Sequence, residues 1–505
     1  VNTAKQERPG KSTPGGPTAS GAPTRSARRT AAPTRPATTY SLIRLLILYL
    51  CLMLLAAPVF AASPASELLT QRLASLLPRD ARWGLAVMDL AGSKELLGAG
   101  SPTIPLVPAS LVKLFVSGAA LEAATAGKSP LFDSGIYVSG RLEGKQMSGD
   151  LYLQGNGNCF LSLDDLQQVV QGLQKRGIRE VAGRVIADGS RFGLHGLECS
   201  RKGAAYALPG ALGLDLHTVA LSITPSGGNK PPHVMVAPLN DTVRVAVSAN
   251  STESGRVTLE VVQSSDSTYQ VSGKLPLSAG LQRRRFALEN PTLYTGQSLS
   301  SLLKLAGITM AGEAIEGKTP QDAHLLARIP GPDLLRYLTE MNRYSLNVAA
   351  DNLLLALGGT MYGYPATKEK GLLVINKHLH QAGLAVREAV VVDGSGLQTQ
   401  NRLTAQAMVR YLVWATQQPW FSVLDASLPR PGQEGTLRAM TFTDQRFRVK
   451  TGRLEQASSL AGYGVDRQGR RIAFAFLVNS DKPLPPLTVR IWDEIMHLLA
   501  HEVLQ

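Results

Sequence analysis

Three short patterns in this chain hold residue types that together support nucleophilic chemistry: Ser110-Leu-Val-Lys113, Ser345-Leu-Asn347 and Lys450-Thr451-Gly452. A serine hydroxyl becomes a nucleophile only when a base takes its proton. On a helix, residues three apart share a face, so Lys113 comes beside the Ser110 hydroxyl. Lysine acts as a base only when neutral, and burial or a nearby cation such as Lys450 favours that state. Backbone N–H groups at the start of a helix can hold a developing oxyanion. Lys450-Thr451-Gly452 on an edge strand offers a cation and a hydroxyl to a carboxylate, while glycine leaves room for a backbone to approach. The bland readings are an N-cap for Ser110, a surface Lys113 and a β-turn at Lys450. The order and context of the three patterns outweigh them.

Positioning these groups falls to a mixed set of elements. Trp83–Leu90 and Lys94–Gly98 read as strands, and the Ala- and Leu-rich run from Ala109 to Ala124 reads as a buried helix with Ser110 in its first turn. Asp165 follows Ser162 by three positions, the signature of a helix start, and Gly177 supplies a stop. Val181–Ala187 reads as a strand leading to Asp188. Short alternating runs such as Val243–Val247 suggest a small all-β module between Thr224 and Gln263. Helical patterns return at Leu299–Leu305, Leu334–Met341 and Val348–Leu357. Leu460–Val465 and Arg471–Val478 form a hairpin, and Thr488–Leu504 an amphipathic helix. Strands at both ends with helices between them fit an α+β fold whose first and last strands pair.

Length and charge narrow the field. At 505 residues, with 44% hydrophobic and 18% charged side chains, the chain is long enough for two or three units with a substantial core. The net charge of +14 looks like a nucleic-acid signal until it is located. Half of it lies in residues 1–61, and aromatic residues make up 6%, too few for base-stacking platforms. No nucleic acid is expected as a partner. Leu42–Ala62 is nearly all apolar behind Arg44 and ends in small residues, so 1–61 reads as a disordered basic leader plus a signal peptide cleaved near Ala61. The implied location is the periplasm, and membrane contact would come only through an uncleaved leader. Cys159 and Cys199 remain after cleavage, either as a disulfide or as two free thiols. His497 and His501 lie four apart on the last helix, but Leu498 stands where a zinc protease carries glutamate. No phosphate-cradling loop follows a strand. Neither a metal nor another cofactor is expected.

At the three patterns the chain resembles the class C low-molecular-mass penicillin-binding proteins, which are serine D-alanyl-D-alanine carboxypeptidases and endopeptidases. Asp393-Gly-Ser-Gly-Leu397, Asn401-Arg-Leu-Thr404, Gly435-Thr-Leu-Arg438 and Leu460-Ala-Gly-Tyr463 extend the likeness over most of residues 70–500. The resemblance implies a penicillin-binding transpeptidase-like domain, from 66–130 and 289–505, with two nested insertions. Domain II would be 131–223 and 264–288, and a small β domain III would be 224–263. It also implies roles. Ser110 would be acylated, Lys113 would take its proton, Ser345 would relay a proton to the leaving group, and Asn347 would hold the substrate amide. Lys450 would supply positive potential and Thr451 would bind the terminal carboxylate, with Gly452 alongside. The N–H groups of Ser110 and Arg453 would form the oxyanion hole. Asp188 would contact the amino end of a diamino-acid side chain, or serve a turn. Peptidoglycan peptides and β-lactam antibiotics are the implied partners. Two rivals are a β-lactamase, disfavoured by the long gap from Lys113 to Ser345, and a silent wall-binding protein, disfavoured by the intact lysines and serines. Leu346 and Arg453 depart from the family pattern, which carries Asp and Ser or Thr there.

Overall fold

The computed structural model describes residues 64–502 and 504, except 93, 130–131, 194–205 and 485–487. The leader, its cleavage site and Cys199 lie outside the described residues. The central element is a five-stranded antiparallel sheet: β1 (Arg82–Asp89), β2 (Glu95–Gly100), β3 (Arg448–Arg453), β4 (Ala457–Val465) and β5 (Arg471–Asn479). Its order is β2-β1-β5-β4-β3, so the first and last strands of the chain pair, Leu85 opposite Phe476 and Val87 opposite Phe474. The α+β expectation holds.

Alternation along β5 makes the sheet two-sided. Ile472, Phe474, Phe476 and Val478 face a core with Ile491, Trp492, Ile495 and Leu499 of the last helix (Thr488–His501). Ala473, Ala475 and Leu477 face the opposite core, which holds Val112, Phe115, Val116 and Ala119 of the helix Val112–Thr125. The alanines let the helix Ala405–Thr416 lie close to the strands, with Met408, Tyr411 and Leu412 in the same core. The resulting layer of helices holds one wall of the site and β3 the other.

The insertions depart from the expected boundaries. Strands from Thr218–Thr224 to Gln282–Ala287 pair among themselves and enclose Val219, Leu221, Tyr269, Val271 and Leu275. The β module is therefore wider than 224–263 and takes in 264–288. The other insertion does not end at 288. Thr309–Met310, Ile315–Glu316 and His324–Ile329 pair with strands of 134–188, and Leu299 and Leu303 of the helix Pro291–Leu305 pack with Leu151, Leu153, Leu166 and Val170. The second catalytic segment thus begins beyond Ile329 rather than at 289, because backbone pairing commits the intervening chain to the insertion. The expected helix start is present: Ser162 Oγ accepts from Asp165 N, and Asp165 Oδ2 accepts from Ser162 N. The strand expected over 181–187 is broken at Gly183, where a β-carbon would stand 2.5 Å from the Gly149 carbonyl oxygen.

Candidate active site

Ser110 lies in a single 3-10 turn, Ala109–Leu111, that leads into the helix Val112–Thr125. Its hydroxyl is half-buried, whereas Lys113, one turn on, is fully buried. The Lys113 Nζ donates to Ser110 Oγ at 2.9 Å, to Asn347 Oδ1 at 2.8 Å and to the Ser395 carbonyl at 2.6 Å. Two of these partners are acceptors only. A neutral Lys113 would spend both hydrogens on them, leaving its lone pair aimed at the Ser110 hydroxyl. Burial pushes the Lys113 amine down to about 8, against the opposing pull of the Asp351 and Asp393 carboxylates.

A helix–helix junction supplies the second pattern. The helix Leu334–Tyr344 ends on Ser345 in the left-handed region, φ 55° and ψ 41°, and the next helix begins at Asn347. Leu346 packs against the helical core, so the junction turns its neighbours Ser345 and Asn347 toward the site. The left-handed turn is uncommon for a residue with a β-carbon.

The third pattern lies within edge strand β3, with Lys450 and Thr451 buried and Arg453 exposed. Lys450 Nζ donates to Ser345 Oγ at 2.8 Å and to the Thr451 carbonyl at 2.6 Å. Burial first, then the Lys113 charge, holds the Lys450 amine well below its ordinary value. The Thr451 and Thr436 hydroxyls are hydrogen-bonded at 2.8 Å. A β-carbon on Gly452 would stand 2.9 Å from Ser110 N, so only glycine lets β3 close against the serine. The structure thus brings Ser110, Lys113, Ser345, Asn347, Lys450, Thr451 and Gly452 together. Arg453 lines an adjoining cleft of ≈ 340 Å³ with Asn347, Leu397, Tyr206 and Glu455.

Known proteins match this chain over most of its length. The family model described as the D-Ala-D-Ala carboxypeptidase 3 (S13) family matches residues 67–495. The chain belongs to this family. Membership of S13 makes it a serine hydrolase of the class C penicillin-binding type. The chain is 27% identical over 431 residues to a D-alanyl-D-alanine carboxypeptidase of Actinomadura sp. (strain R39), covering 81% of this chain and 79% of the relative. It is 26% identical over 441 residues to D-alanyl-D-alanine carboxypeptidase DacB of Haemophilus influenzae, covering 84% and 89%. The fold matches the crystal structure of penicillin binding protein 4 from Haemophilus influenzae with a TM-score of 0.72 at 22% identity, over 87% of this chain and 99% of that one.

Of the two roles expected for Asp188, contact with a substrate amine or service in a turn, its hydrogen bonds fit the turn. Asp188 is fully buried at the end of a strand, and its carboxylate accepts from Gln154 Nε2, Ser190 N and Thr319 N at 2.8–2.9 Å. Burial works to raise its pKa, but those hydrogen bonds outweigh it and hold the carboxyl below the usual value. With its oxygens so occupied, Asp188 fastens a turn of the insertion and offers no face to a substrate amine. Cys159 is also fully buried, its Sγ 3.6 Å from the Tyr337 hydroxyl, and burial pushes the thiol up to about 12. His497 packs edge-on to Phe442 at 5.2 Å, as a packing residue does.

Sequence reasoning missed Asp351, whose Oδ1 accepts from Gly394 N and Ser395 N. The available signal was its spacing, four residues beyond Asn347 on one helix and hence on the same face. It also missed that the Ser395 backbone carbonyl, rather than a side chain of that segment, would meet Lys113.

Proposed function

We propose that the protein removes the terminal D-alanine from peptidoglycan stem peptides through an acyl-enzyme on Ser110. The observation that carries the reading is the Lys113 amine, 2.9 Å from Ser110 Oγ with two fixed acceptors for its hydrogens. Names of the curated relatives, both D-alanyl-D-alanine carboxypeptidases, support the same reaction. Neutral Lys113 takes the Ser110 proton as Oγ attacks the carbonyl of the penultimate D-alanine. The Ser110 and Arg453 N–H groups hold the oxyanion. The C–N bond then breaks, and the proton that Lys113 took passes through Ser345, beside Lys450, to the departing amine, which leaves Lys113 neutral again. Thr451, with its hydroxyl partner Thr436, and the Lys450 charge hold the carboxylate of the leaving D-alanine. Water then attacks the ester, Lys113 again taking the proton, and Ser110 is regenerated. Every group is supplied by the chain itself.

A β-lactam presents a strained amide and a carboxylate to the same groups, so the enzyme should be acylated by penicillin and deacylate slowly. A Haemophilus influenzae structure of the same fold, at 21% identity and TM-score 0.69, holds a β-lactam. The charge pattern and apolar run of the leader support work outside the cytoplasm. The test is to incubate the folded protein with fluorescent penicillin. A covalent, long-lived adduct lost in Ser110→Ala and release of D-alanine from a pentapeptide are expected. No adduct would remove the mechanism, and rapid drug turnover would favour a β-lactamase.

A further inference from the structure

Behind the Ser110–Lys113 pair lies a carboxylate that the mechanism above does not use. Asp351 stands one helical turn beyond Asn347, and its Oδ1 accepts from the backbone N–H groups of Gly394, at 2.8 Å, and Ser395, at 2.9 Å. The carbonyl of that same Ser395 accepts from Lys113 Nζ at 2.6 Å and from Ser110 Oγ at 3.4 Å. Asp393 braces the far side of the loop, accepting from Gly396 N, Gln398 N and Asn401 Nδ2 at 2.8–2.9 Å. The loop has no slack. A β-carbon on Gly394 would stand 2.5 Å from the Ala350 carbonyl oxygen, and one on Gly396 would strike the Ala109 carbonyl. Residues 393–397 are therefore wedged between the Asn347 helix and the backbone that presents Ser110.

We infer that Asp351 is the positioning residue of this site: through the Gly394 and Ser395 amides it holds the Ser395 carbonyl on the Lys113 amine, and its charge sets the pH at which that amine becomes a base. The inference rests on Ser110–Lys113 acylation as proposed above. Three titratable groups face Lys113 from the elements around it: Asp351 from the helix, whose carboxyl is pushed up to about 7 by burial and then by the Asp393 charge, Asp393 from the loop, and Lys450 from β3. The two carboxylates favour the protonated amine, with Asp351 the stronger, and burial opposes them. Removing the Asp351 charge while keeping its shape makes the neutral amine available at lower pH.

The experiment is the rate of acylation by fluorescent penicillin against pH, for the full-length wild type, Asp351→Asn, Asp351→Ala and Ser110→Ala. Asp351→Asn retains an oxygen for both amides, and its acid limb should move down by about one pH unit. Asp351→Ala releases the loop and should be slowed roughly tenfold or more at every pH. A merely structural aspartate would leave the midpoint of Asp351→Asn unmoved. That superposition, or wild-type rates in Asp351→Ala, overturns the inference while leaving the acyl-enzyme intact. A wild type forming no Ser110 adduct overturns both. Should Asp351→Ala fail to fold, the near-isosteric Asp351→Asn decides the matter.

Discussion

A fully buried ammonium is unstable, and this site sets two of them behind half-exposed serines. At Lys113 the stress is relieved by proton loss, which is what a catalytic base requires. Since burial pushes Lys113 down to about 8, the amine is protonated below that pH and has no lone pair for the Ser110 proton. Acylation should therefore rise about tenfold per pH unit below the midpoint and flatten above it, as stopped-flow acylation by penicillin would read. Lys113→Ala should slow acylation by roughly 10²–10⁴-fold, since the hydroxyl would then lack its base. Ser110, Lys113, Ser345, Asn347 and Lys450 were legible in the sequence because their side chains carry the chemistry at fixed spacings. Asp351 was not singled out, since its spacing from Asn347 gives a shared helix face but not the two backbone amides it acts through.

Elements were legible where the local code is strong. The Ser162–Asp165 capping box is written in four residues, and Ser162→Ala should cost about 1 kcal/mol by urea denaturation, by loss of one cap. The hairpin of β4 and β5 follows from alternation, and Phe474, fully buried between the sheet and the last helix, marks its inner face. Phe474→Ala should cost about 3–5 kcal/mol on the same measurement, through lost burial and the cavity left behind. The Ser345 junction is harder to foresee. A left-handed serine between two helices is stabilised by what packs around it, here Leu346 on the core and the Lys450 amine on its hydroxyl.

At the scale of the molecule, three kinds of core are present: the two faces of the central sheet, the core of the larger insertion, and that of the β module. Chains with several domains commonly depart from two-state unfolding. Differential scanning calorimetry should resolve more than one transition, and acylation by penicillin should raise the one that carries the Ser110 site. The expected insertion boundaries were wrong for a reason at this scale. Within 289–329 only the helical pattern at Leu299–Leu305 was read locally, and the segment's membership is settled by packing and by hydrogen bonds to strands more than 100 residues earlier.

The amino-acid sequence by itself determined the chemistry available to this protein: two serines and two lysines at spacings that favour acyl transfer, an α+β pattern and paired ends. Only the tertiary structure decided that Asp188 turns inward, that the chain up to Ile329 belongs to the insertion, and that a distant carboxylate and carbonyl frame the base. The division is physical. Side-chain type and periodicity are local and can be read in order along the chain. Burial, backbone hydrogen bonds across the fold and the fields of neighbouring charges exist only once remote segments have met.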